Sequence, residues 1–134
     1  MLKDTYIFPC VFIYKENGGI DIYFPDLDGC VSFGEDEQTA CYNAREVLLL
    51  HLYGMEEDGD EIPEPSSIKD IETDENEKIL FVEAFMPTFR AKQVDKYVKK
   101  TLTIPQWLNI EAERAGVNFS QILQASLKEH LGLS

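Results

Sequence analysis

Apolar residues change their spacing along this chain, and each change marks an element. Residues 6–14 and 20–24 are rich in Tyr, Phe, Ile and Val and flank Lys15-Glu16-Asn17-Gly18-Gly19, whose glycines permit positive φ, so the pattern predicts two strands joined by a hairpin. Pro25-Asp26-Leu27-Asp28-Gly29 is a turn by composition, and residues 30–33 then read as a short third strand closing at Gly34. The period lengthens after Asp36, which is placed to cap a helix starting at Glu37. Ala40, Ala44, Val47, Leu48 and Leu52 share one face of that helix, and Gly54 marks its expected end. Residues 55–67, acidic and carrying Pro63 and Pro65, and residues 72–77 read as exposed connections; residues 78–86 alternate enough to form a fourth strand. The stretch from Pro87 to Tyr97 reads as a linker, which divides the chain into residues 1–88, a linker at 89–97 and residues 98–134. The first part is thus expected to be an α+β domain of order β-β-β-α-β.

The last part has its own pattern. Val98, Leu102 and Ile104 share one parity of a strand at 98–104, while Lys99, Thr101 and Thr103 share the other; Lys100 interrupts the apolar side. Pro105 suits a first helical position, Leu108, Ala112 and Ala115 recur at helical spacing, and Gly116 is placed to stop the helix. Asn118 then caps a second helix with Gln121 as its capping-box partner, and Phe119, Ile122, Leu123, Ser126, Leu127 and Leu131 form one face. A strand and two short helices bury too little apolar area to fold alone, so a partner copy is expected to complete this unit. The plainer alternative is an edge hairpin whose threonines serve strand propensity alone.

Charge sharpens the division. Residues 1–88 hold 5 Lys and Arg against 21 Asp and Glu, net −16, whereas residues 89–134 hold 7 against 4, net +3, within a chain of net −13. An acidic body repels nucleic acid and suits a basic protein partner, although acidic surface also serves solubility; only the C-terminal part attracts DNA, weakly enough that doubling by dimerisation matters. With 44 % hydrophobic residues the chain of 134 can hold one moderate domain and a small appendage. Its apolar runs are too short to span a bilayer and no signal-peptide pattern opens it, so a cytoplasmic location without membrane contact is expected. Cys10, Cys30 and Cys41 are odd in number and lack metal-ligand spacing, which points to reduced, buried thiols and no metal site. His51 and His130 fall in separate helices without a second ligand nearby, and His130 belongs at a helix C-terminus.

The strand-helix-helix pattern resembles the ribbon-helix-helix repressors, and the runs VKKTLTIPQWL and GVNFSQIL resemble the C-terminal module of HicB-type antitoxins. The phrases YFPDLDGCVSFGEDEQTACYNAREVLLLHL and EIPEPS resemble the N-terminal HicB domain, so the resemblance covers nearly the whole chain. It implies a partial ribonuclease H-like domain that binds a HicA-type toxin, a small basic ribonuclease, and a homodimer through residues 98–134, with a higher oligomer open. It places Lys99, Thr101 and Thr103 at base edges of operator DNA and Asn118 and Ser120 near phosphates. Many such repressors carry Arg, Asn or Gln where this strand has threonines, a departure that bears on bidentate base readout. The toxin contact is assigned by resemblance to the sheet and the turn Phe24, Pro25, Asp26, Leu27, Asp28, Gly29 and Cys30. A ribonuclease H-like relation raises metal-dependent nuclease chemistry with Asp21, Asp26, Asp28 and Glu46 as carboxylates, but Asp in a turn and Glu on a helix surface are ordinary in so acidic a chain. The reading is therefore an antitoxin and transcription repressor acting by binding, without catalytic residues or cofactor. The alternative is an orphan ribbon-helix-helix regulator whose N-terminal domain binds another protein or ligand.

Overall fold

The computed structural model describes residues 2–94 and 97–133. Chain packing divides them into two units, Met1–Lys96 and Tyr97–Ser134. In the first, β1 (Thr5–Tyr14) and β2 (Ile20–Tyr23) form the expected hairpin, in register from Val11 opposite Tyr23 to Tyr14 opposite Ile20. Gly18 takes φ 92° at its tip, where the Lys15 amide donates to the Gly19 carbonyl at 2.9 Å. β3 (Val31–Gly34) pairs antiparallel with β2, and β4 (Glu77–Phe85) pairs antiparallel with β1 from Thr5 opposite Phe85 to Ile13 opposite Glu77. The sheet order is β3-β2-β1-β4, so the last strand returns beyond the helix to the far side of β1.

One face of this sheet is covered by α1 (Glu37–Asp58). Asp36 caps it as its type predicts: its carboxylate accepts from the Thr39 amide at 2.8 Å, and that bond holds the carboxyl below the ordinary aspartate range. Ala40, Ala44, Leu48 and Leu52 are fully buried against the alternate inward residues of the strands, Phe8, Cys10, Phe12, Ile20 and Ile22. Small residues set the spacing at the helix start: a Cβ on Gly34 would meet the Ala40 backbone at 2.5 Å.

The helix does not stop at Gly54. It continues to Asp58 because Met55, on the next turn, packs against the core, an attraction that outweighs the roughly 1 kcal/mol of an interior glycine. Gly59 ends it instead at φ 73°, with its own amide and that of Asp60 donating to Glu56 and Met55 carbonyls.

Residues expected as linker form a second helix, α2 (Met86–Gln93). Pro87 sits near its start, where proline costs nothing, and Met86 and Phe89 pull it onto the core; Tyr53 and Phe89 meet edge to face at 5.7 Å. Polar anchoring completes it. Arg90 grips Glu56 with two bonds, Nε to Oε1 at 3.0 Å and Nη2 to Oε2 at 2.7 Å, and Nη2 also donates to the Lys3 carbonyl at 2.6 Å. Of the remaining linker residues, 95–96 lie outside the described residues.

Cys10 and Cys30 are buried, and burial pushes both thiols up to about 12; Cys41, expected inside, is exposed because it lies off the buried face of α1. Among the described residues no helix is long and apolar enough to cross a membrane.

Two outcomes are expected. Arg90→Met should cost about 2 to 3 kcal/mol in urea unfolding, since the Glu56 side chain is only 2 % exposed and would lose its counter-charge, and Glu56→Met added to it should recover part of the loss. A single-variant cost below about 0.5 kcal/mol would mean that solvent screens the pair. With a thiol-reactive disulfide at pH 8, only Cys41 should be modified in the native protein, Cys10 and Cys30 following on denaturation; rapid native labelling of a second thiol would show that the sheet opens locally.

Candidate functional site

In the second unit, residues 97–105 form neither helix nor strand and pair with no other strand among the described residues, so the strand expected at 98–104 is not formed in the single chain. A strand needs a hydrogen-bonding neighbour, and the described residues supply none. Lys99, Thr101 and Thr103 are exposed as expected, but so are the residues of the opposite parity: Val98 is 86 % accessible, Leu102 59 % and Ile104 42 %.

α3 (Gln106–Arg114) begins one residue after Pro105, which is extended at ψ 141° and serves as the cap position rather than the first helical one. Gly116 at φ 69° stops the chain turning, as its type implies. Asn118 then accepts from the Gln121 amide at 3.0 Å and caps α4 (Phe119–Leu131), while His130 lies in its last turn. Asn118 and Ser120 are both exposed at this helix start, where free amides and the helix dipole favour an anion. Neither α3 nor α4 has a buried residue: Trp107, Ile110, Phe119, Ile122, Leu127 and Leu131 all face solvent.

In the first unit, the turn after β2 is closed by backbone bonds, Phe24 amide to Cys30 carbonyl at 3.2 Å and Leu27 amide to Phe24 carbonyl at 3.0 Å. Phe24, Leu27 and Cys30 point into the core, at 2 %, 3 % and 0 % exposure. The turn offers Pro25, Asp26, Asp28 and Gly29, the last at φ 80°. Asp26 is engaged in holding the acidic connection: its carboxylate accepts from the Ser66 amide at 2.9 Å and from the Ser66 hydroxyl. Beside it an open cleft of about 530 Å³ is lined by Asp26, Asp28, Asp58 and Asp60 with His51.

The carboxylates considered for metal chemistry are not gathered. Asp21 pairs with Lys15 at 3.5 Å, Asp26 and Asp28 lie in the turn, and Glu46 is on α1. Among the described residues no group of three or more His, Cys, Asp or Glu side chains is arranged to hold a metal ion.

Sequence reasoning missed the far edge of the sheet. β4 has a strand neighbour on one side only, and on the sheet face away from α1 it exposes Phe81 at 57 % and Phe85 at 52 %, beside Ile7 of β1 at 49 %. The signal was present, because residues 79–85 are apolar at both parities, at Ile79, Phe81 and Phe85 as well as Leu80, Val82 and Ala84. The β3 edge is short by comparison, and the Phe33 carbonyl on it accepts from the Asn43 side chain at 2.7 Å.

Comparison with known proteins matches this architecture. A toxin-antitoxin complex from Streptococcus pneumoniae contains a chain 24 % identical to this one, with a TM-score of 0.60 over 94 % of this chain and 99 % of that one. The antitoxin HicB3 is 29 % identical, with a TM-score of 0.50 over 96 % and 99 %. The Burkholderia pseudomallei antitoxin HicB is 20 % identical, at 0.52 over 94 % and 96 %, a likeness of fold. An uncharacterised 14.9 kDa protein from the rep-hol intergenic region of Haemophilus phage HP1 is 37 % identical over 59 residues, so the chain spans 44 % of that relative's length. The model of the HicB-like antitoxin of bacterial toxin-antitoxin systems matches residues 8–117, nearly all of the first unit and the second as far as the start of α4, and the chain belongs to that family.

Proposed function

We propose that the chain neutralises a small basic toxin of the HicA type with its acidic N-terminal unit and represses the shared operon with its C-terminal unit. The observation that carries this reading is that charge divides with the structure: the unit Met1–Lys96 carries net −14, whereas the unit Tyr97–Ser134 carries net +1. One part is built to attract a cationic protein, the other to approach DNA. Both activities are binding, carried out in the cytoplasm, and neither requires a cofactor.

In this reading residues 98–134 form a ribbon-helix-helix module whose extended segment pairs antiparallel with that of a second copy, and α3 and α4 of the two copies bury the apolar faces that one chain leaves in solvent. Lys99, Thr101 and Thr103 then stand on the face of the ribbon directed into the major groove, and Asn118 and Ser120 bring the α4 amides to phosphates. The threonines can read either hydrogen-bonding edge or a thymine methyl, without a bidentate pair. The N-terminal unit, a partial ribonuclease H-like fold, serves as the acidic platform, with Pro25, Asp26, Asp28 and Gly29 as the part of the turn open to a toxin.

The first test is co-expression of the tagged chain with the product of the adjacent open reading frame, followed by RNA cleavage assays on the complex and on the separated partner. Co-purification with suppressed cleavage is expected; promoter binding without association would leave an orphan regulator. For the tail, Lys99→Ala and Thr101→Ala should each weaken binding to the chain's own promoter by about 1 to 3 kcal/mol in gel shifts while toxin affinity stays unchanged. Binding equal to wild type in both variants would sink the DNA assignment of this segment.

A further inference from the structure

The sheet of the N-terminal unit is left open along β4. Because β4 pairs only with β1 among the described residues, and an antiparallel pair uses alternate amides and carbonyls, the other half of its backbone groups point outward without a strand partner. The strand is nine residues long, holds no proline, and keeps an unbroken register with β1. Proteins ordinarily blunt such an edge by shortening, bulging or covering it. Here β3 follows that rule and β4 does not, and β4 adds half-exposed Phe81 and Phe85 beside Ile7.

We propose that the toxin docks on β4 by adding a strand to this edge, so that the sheet of the antitoxin continues into its partner. The proposal rests on the toxin-binding reading above and specifies where and how it acts. Main-chain groups call for an extended segment, since only a strand matches alternating donors and acceptors at about 4.8 Å. Side chains set its chemistry. Along the face away from α1, β4 presents Phe81, Glu83 and Phe85 in turn, apolar, acidic, apolar, so the fitting strand carries apolar residues on either side of a Lys or Arg. A second copy fits worse: it would bring two bodies of net −14 together along one edge and set no cation opposite Glu83 on that face.

The experiment uses the full chain and the protein encoded by the adjacent open reading frame, with hydrogen exchange measured on the free chain and on the complex. The outward amides of Ile79, Phe81, Glu83 and Phe85 should exchange freely in the first and slow at least about tenfold in the second, the mark of new backbone bonds. The double variant F81K/F85K changes exposed positions only; its toxin affinity should fall by about a hundred-fold, with promoter binding and far-UV spectrum unchanged. Wild-type failure to bind would overturn the toxin-binding reading and this proposal with it. Wild-type binding with unprotected β4 amides and an undisturbed F81K/F85K affinity would overturn the docking edge alone. Protection of β4 in the free chain, with a larger mass by light scattering that the variant loses, would assign the edge to a second copy and overturn it too.

Discussion

β1 is the strand that joins the sheet, pairing with β4 from Thr5 to Ile13 and with β2 from Val11 to Tyr14, and its alternate side chains Tyr6, Phe8, Cys10 and Phe12 reach the buried stripe of α1. Every other element of the first unit is placed relative to that strand. The hairpin fixes β2 in register, the close approach of Gly34 and Ala40 lets α1 lie against the sheet, and α1 then carries Glu56 to the position where Arg90 closes α2. Because a shift of one residue in β1 would exchange its inward aromatic set for Thr5, Ile7, Pro9 and Val11, the whole arrangement is specified by burial rather than by any single bond.

The second unit obeys the opposite logic. Its local signals are in place: Asn118 holds the start of α4, and Gly116 and Gly132 take the left-handed conformation after the two helices. Yet nothing in α3 or α4 is buried and the segment before them has no strand neighbour. Local chemistry suffices to end helices at the right residues, but stability comes from burial, and a unit with exposed Phe119, Ile122 and Leu127 obtains burial from outside.

The same contrast separates what could be read from the residues from what could not. Asp36 as a cap, the Ala40, Ala44, Leu48 and Leu52 face, and the four strands of the sheet follow from side-chain type and period alone, because each depends on neighbours a few residues away. Helix ends set by tertiary contact did not follow. Gly54 looked like a stop, but Met55 beyond it is drawn to the core, and Pro87 looked like linker, whereas proline at a helix start is compatible with packing by Met86 and Phe89. The turn after β2 was recognisable as a turn while the direction of its side chains was not: Phe24, Leu27 and Cys30 face inward because a tight turn at the end of a sheet is roofed by its own apolar residues. The open edge of β4 escaped notice because strand order is a property of long-range pairing.

Acidity here has two distinct roles, and separating them bears on what the protein does. The carboxylates that the fold positions are each engaged locally: Asp36 at the α1 cap, Glu37 with the Tyr14 hydroxyl, Asp21 with Lys15, Asp26 with Ser66, Glu77 with the Asp74 amide, and Glu56 with Arg90. Metal-dependent cleavage would require several of these to converge on one point, and their partners hold them at the helix start, the hairpin, the turn, the start of β4 and the α1–α2 contact. The remaining acids are solvated and act through their summed field, which falls off over about 10 Å at 0.1 M salt. Such a field recruits an oppositely charged partner quickly and selects poorly among cations. Selectivity then has to come from groups that are short-ranged and directional, and in this unit the open backbone of β4 with Phe81, Phe85 and Ile7 beside it has both properties.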